Sequence, residues 1–109
     1  MALEGAMFAL ATDEHVLYVF PTETEAIDYC EGPDVESGAW QFFDHAGTPL
    51  EAVFSEPVKR SALFVTQGRY ALRPAPGVSL IARLADIWAI EGFGVVQSMD
   101  DVHRLLTSH

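Results

Sequence analysis

Phe20-Pro21-Thr22-Glu23-Thr24-Glu25-Ala26-Ile27-Asp28-Tyr29-Cys30-Glu31-Gly32-Pro33 is the stretch from which the fold can be read outward. Pro21 has no N–H to give to a central ladder, so it ends the strand before it. Thr22 suits an N-cap and Glu25, three residues on, completes a capping box, while Gly32 followed by Pro33 supplies a stop. These signals predict a helix over Thr22 to Glu31. Ala26, Ile27 and Cys30 fall at helical spacing toward a core, whereas Glu25, Asp28 and Glu31 recur every third residue as an outward acidic stripe. Asp34 and Glu36 carry the acid on into a loop punctuated by Gly32, Pro33 and Gly38. A carboxylate at Glu31, in the last turn, is disfavoured by up to about 1 kcal/mol, so local stability does not explain the accumulation.

On either side of this helix the chain reads as strands. Met7 to Leu10 and Val16 to Phe20 are short apolar runs around a polar turn and predict an antiparallel hairpin. Trp40 to Phe43 and Leu50 to Phe54 predict a second hairpin around Gly47 and Pro49. The first of these strands has aromatics on both faces, the pattern of a strand covered on one side by a helix and partly covered on the other. Ala62 to Thr66 and Arg69 to Arg73 form a third strand pair around Gln67-Gly68, unless Gly68 is a bulge in one long strand. Val78 to Ala85 keeps helical spacing; Ile87 to Ile90 can extend that helix or form a short buried strand, and the strand is preferred. Ser98 with Asp101 opens a terminal helix, Met99 to Thr107, with Val102, Leu105 and Leu106 inward and an Asp100 to Arg104 pair. The expected fold is a single α+β domain over residues 1–109, an antiparallel sheet of about five or six strands with three helices packed on it.

The charge is unevenly distributed. The chain carries 16 acids against 6 bases, net −10, and no Lys or Arg precedes Lys59. The first 58 residues therefore hold twelve of the acids and the last 51 carry a small positive excess. Such a field repels phosphates and anionic lipid, which argues against nucleic acid or membrane as direct ligands, and attracts a basic protein. Cys30 is the only cysteine, which excludes an internal disulfide framework and fits a reducing compartment. Glu4, Asp13 and Glu14 stand where a secretory signal would have its basic region, so the expectation is a cytoplasmic protein.

Motifs of catalysis are missing from the sequence. His15, His45, His103 and His109 have no zinc spacing, and no glycine-rich phosphate loop or G-x-S-x-G context occurs. No cofactor, metal or enzymatic activity is expected. Cys30 reads as a small packed residue, because Asp28 and Glu31 beside it oppose thiolate formation. His45, on a loop beside Asp44, reads as a turn residue. Trp40, Trp88, Tyr18, Tyr29 and Tyr70 read as core or half-buried aromatics, with Tyr29, next to the acidic stripe, the one placed to anchor an interface.

Tyr18-Val19-Phe20-Pro21, then Glu25-Ala26-Ile27, Tyr29-Cys30-Glu31-Gly32, Trp40, Phe42-Phe43-Asp44, Gly47 and Pro49-Leu50-Glu51 together resemble small bacterial immunity proteins of contact-dependent growth inhibition and related polymorphic toxin systems. The resemblance implies a cytoplasmic protein that binds and neutralises a cognate toxin domain, commonly a nuclease. It implies no catalytic positions. The partner-binding residues expected from charge are Glu23, Glu25, Asp28, Tyr29, Glu31, Asp34 and Glu36, facing a basic nuclease domain. Two other readings stand beside this one: a regulatory or adaptor module acting by protein contact, and a small hydrolase using His45 or Cys30.

Overall fold

Met7-Phe8-Ala9-Leu10-Ala11 forms strand β1, and all five residues are buried. A strand that buries both faces must lie inside a sheet with cover on each side. The computed structural model, which describes residues 6–59, 61 and 68–107, places it there. The other strands are β2 (Val16–Phe20), β3 (Trp40–Phe43), β4 (Pro49–Glu56), β5 (Arg69–Pro74) and β6 (Ala89–Glu91), in the order β5-β4-β3-β1-β2-β6. The fold is α+β, with a mostly antiparallel sheet.

One pair departs from the antiparallel expectation: β6 runs parallel to β2, with Leu17 opposite Ile90. A parallel neighbour requires a crossover rather than a hairpin. Here the chain crosses one face as a 3-10 helix, Leu80–Asp86, before entering β6. That helix is two residues shorter at its start than the α-helix expected from Val78, and Val78 itself is exposed. The predicted strand Ala62 to Thr66 lies outside the described residues, and the described partner of β5 is β4.

Strand alternation sorts the core into two layers. Phe8, Leu10, Leu17, Val19 and Phe43 point to one face, where Leu80, Ile87, Val96, Val102 and Leu106 cover them. Met7, Ala9, Phe20 and Phe42 point to the other, against Ala26 and Cys30, with Tyr18, Val35 and Trp40 at its border. Helix α3, Met99–Thr107, keeps its predicted bounds, and Ser98 accepts from the Asp101 N–H at 3.2 Å as its capping box requires. Arg104 pairs with Asp101 (3.4 Å, i,i+3) instead of the expected Asp100.

On the second face, α1 spans Glu23–Tyr29. Thr22 Oγ1 accepts from the Glu25 N–H at 3.2 Å and donates to Glu25 Oε2 at 3.2 Å, so the carboxylate closes on the hydroxyl rather than on the Thr22 N–H. Gly32–Glu36 is a second short helix, α2, and not the predicted loop. Proline is compatible with a first helical turn, where its missing N–H would have had no partner. α1 therefore ends at Tyr29, two residues before the predicted Glu31, with Cys30 as its C-cap, and Gly32-Pro33 opens the next helix instead of stopping the first.

The turn after β6 is held by close backbone contact. A Cβ added at Gly92 would overlap the Val96 carbonyl oxygen, a rigid group that cannot step aside. Gly92→Ala is expected to cost about 3 kcal/mol in urea unfolding, the upper range for overpacking; a loss below about 0.5 kcal/mol would contradict this geometry.

Candidate functional site: an acidic and aromatic face

Only a few side chains of α1 and α2 are needed by the core. Ala26 and Cys30 are buried and Ile27 and Val35 are half-buried. Every predicted acid, Glu23, Glu25, Asp28, Glu31, Asp34 and Glu36, is exposed on this same face of the sheet. The structure therefore brings the predicted site residues together. It also changes the reading of one: Glu31 is the N-cap of α2 rather than a last-turn residue of α1, so the helix dipole favours its charge. Asp34, in the first turn of α2, benefits likewise. Asp28 in the second half of α1 and Glu36 at the end of α2 receive no such support.

Four arginines of the closing half form ion pairs with acids outside α1 and α2. Among the described residues, Arg69 pairs with Glu56 (3.5 Å), Arg73 with Glu51 (3.5 Å), Arg83 with Asp86 (3.1 Å) and Arg104 with Asp101. Arg69 lines a depression of about 580 Å³ with Asp28, Glu31 and Tyr70, and Arg83 lines another with Glu36. These pairs are largely exposed and contribute little each. Their consequence is electrostatic: they balance β4, β5 and the 3-10 helix and leave α3 one charge negative at Asp100, whereas α1, α2 and their junction carry six acids and no Lys or Arg.

Tyr29 joins the acids to a group of aromatic rings. It is 49% exposed, and its ring lies 5.4 Å from Tyr18, 5.4 Å from Phe20, 6.2 Å from Trp40 and 5.6 Å from Phe93. Tyr18 and Trp40 meet edge to face at 5.1 Å, underneath. Burial, with Tyr29 beside it, holds the Tyr18 phenol above its ordinary range. Phe93 is the residue that sequence reading missed. It is 48% exposed with φ +47, in the left-handed region. For a non-glycine residue that conformation costs about 1–2 kcal/mol. The only sequence signal is an aromatic residue set between Gly92 and Gly94, two turn residues.

The chain matches no protein-family model, no curated protein and no solved structure.

The candidate nucleophile and base are otherwise engaged. Cys30 is buried, and burial, reinforced by Asp34, pushes its thiol from 9.0 up to about 12, so it is neutral at physiological pH. Tyr70 donates its hydroxyl to the Cys30 carbonyl at 2.6 Å and to that of Ile27 at 3.4 Å, tying α1 to β5; burial, then Cys30 and Asp28, raises its phenol well beyond the usual range. His45 sits in a turn built by Asp44, whose Oδ1 accepts the N–H groups of Ala46 and Thr48 at 2.9 Å. Asp44 is thus a turn-former. His15 donates from Nδ1 to the Asp86 carbonyl at 2.9 Å and stacks on Trp88 at 4.0 Å. Trp88 is 76% exposed rather than core or half-buried, because β6 begins at Ala89, two residues later than the strand preferred from Ile87, and leaves it at the sheet end. Among the described residues, no three His, Cys, Asp or Glu side chains are grouped to hold a metal ion, and no helix is long and apolar enough to cross a membrane.

The raised thiol makes a signed prediction. Cys30 keeps its proton in the folded chain between pH 9.0 and about 12, where the unfolded chain loses it, so unfolding is favoured as pH rises through that window. Cys30→Ala should flatten the alkaline fall in stability, measured by urea unfolding at pH 7 and pH 10. In native protein at pH 8 a disulfide exchange reagent should leave the thiol unmodified and react with it after denaturation; rapid native labelling would contradict the burial.

Proposed function

We propose that the protein is a cytoplasmic, non-enzymatic immunity protein that binds and neutralises a cognate toxin domain, a basic nuclease domain being the partner that its surface suits best. The observation that carries this reading is the collection of six exposed carboxylates on α1, α2 and their junction, continuous with an exposed tyrosine. A nuclease must present a basic groove to phosphates, and an acidic face can occupy that groove or one beside it. Opposite charge raises encounter rates above the neutral range of about 10⁵–10⁶ per molar per second. The aromatic side chains then supply contact area with little conformational entropy to lose.

The sheet edges favour this surface over strand addition. Among the described residues, β5 faces outward with charged side chains already paired to β4, and β6 is only three residues long. Short and charged edges are poor templates for another strand.

The test is genetic and kinetic. The fragment encoded by the adjoining reading frame should kill cells unless this chain is co-expressed. Replacing Glu23, Glu31 and Asp34 together by Lys leaves the aromatic group untouched and should slow association with that fragment about tenfold or more at low salt, with loss of protection. Its melting temperature should stay within about 5 °C, since relief of like-charge repulsion offsets weaker helix-dipole contacts. Unaltered protection by this variant would reject the acidic-face reading.

A further inference from the structure

Phe20, Tyr29 and Phe93 surround a surface recess of about 380 Å³, and Glu25 and Asp28 line it with them. The ring centroids are 5.1 Å apart for Phe20 and Phe93, 5.4 Å for Phe20 and Tyr29 and 5.6 Å for Tyr29 and Phe93. Phe20 forms the floor, because it is buried in the sheet, and Tyr29 and Phe93 are about half exposed. Glu25 and Asp28 project from neighbouring turns of α1, both exposed.

These two kinds of group ask for one kind of occupant. A neutral apolar side chain would satisfy the rings and bring uncompensated desolvation to the carboxylates. An anion is repelled by the carboxylates and by the negative faces of the rings. A lysine ammonium is also drawn to an aromatic face, but as a strongly hydrated point charge it loses more on leaving water and cannot stack. A guanidinium does both, stacking on a ring while its in-plane N–H groups reach carboxylate oxygens. The placement of Phe93 points the same way: its ring lies half in water on a left-handed backbone, beside Glu25 and Asp28.

We propose that this recess receives an arginine side chain of the protein partner, its guanidinium stacked on Tyr29 or Phe93 and bonded to Glu25 and Asp28. The inference rests on the reading that a basic protein docks on this face, and it names the side chain that fixes the register of that docking. Charge spread over α1 and α2 attracts the partner; the recess selects one residue of it.

The test needs no partner. The isotopically labelled full chain is titrated by NMR with acetyl-Gly-Arg-Gly-amide and with its citrulline counterpart, which keeps the shape and loses the charge. The arginine peptide should shift the amides of Asp28, Tyr29, Phe93 and Gly94 toward saturation, and the citrulline peptide should not. Phe93→Asn, which tolerates the left-handed backbone, and Tyr29→Leu, which keeps apolar area, each remove one ring of the lining, and each should weaken binding about two- to fivefold. Either variant with a dispersed spectrum suffices. Equal shifts from citrulline, or shifts scattered over all the acids and unaffected by both variants, would overturn the proposal. If the recess fails this test while the Glu23, Glu31 and Asp34 replacement still abolishes protection, the acidic-face reading stands without the arginine site.

Discussion

Burial of β1 on both faces is the constraint from which the rest of the structure follows. Phe8 and Leu10 must be covered on one side and Met7 and Ala9 on the other, so a single layer of helices cannot complete this sheet. The first side is covered by the 3-10 helix and α3. The second is covered by α1 and α2, and because Met7 and Ala9 offer a shallow surface, two short helices that contribute Ala26, Cys30 and Val35 are enough. A methyl-sized side chain such as Ala26 is worth about 0.8 kcal/mol on burial, and Met7, Phe20 and Phe42 beneath the helices about 1.5–3 kcal/mol each. That is ample to hold two short helices whose remaining positions are then free to carry charge.

What those positions carry is a compromise between stability and field. Several of the acids sit where helix N-termini favour them, so part of the accumulation is explained by local energetics at Glu23, Glu25, Glu31 and Asp34. Asp28 and the exposed aromatic residues are not explained that way. At physiological salt the charges act over about 8 Å, so they govern encounter and orientation near contact. The rings act only at contact, where they govern how long a complex lasts. A surface that combines both is suited to binding a charged macromolecule quickly and releasing it slowly.

Most of the scaffold was legible because its signals are local. Val16 to Phe20 and Met99 to Thr107 begin and end where proline and the Ser98 cap indicate, and Glu25, Asp28 and Glu31 face outward as their three-residue spacing requires. The errors arose where one residue type serves two local structures. Gly32-Pro33 is a stop signal, yet proline also opens helices, so local pattern predicts a loop where α2 forms. Leu80, Ile81 and Leu84 keep a spacing that a 3-10 helix satisfies as well as an α-helix, and the strand preferred over Ile87 to Ile90 begins only at Ala89, which leaves Trp88 outside it. The parallel pairing of β6 with β2 depends on contacts between residues more than 70 apart, for which no local pattern exists. Within the candidate site, the acids and Tyr29 could be found from spacing and charge. Phe93 could not, because its proximity to Tyr29 is made by the return of the chain through β6.

The central claim is that the partner is met by α1, α2 and the aromatic group beside them, and not by the opposite face. Amide hydrogen exchange of the chain alone and in complex with the fragment encoded by the adjoining reading frame measures this directly. The account predicts slowed exchange across residues 23–36 and 92–94, with the 3-10 helix and α3 unchanged. Protection confined to Leu80–Asp86 and Met99–Thr107, with residues 23–36 exchanging as in the free chain, would contradict it.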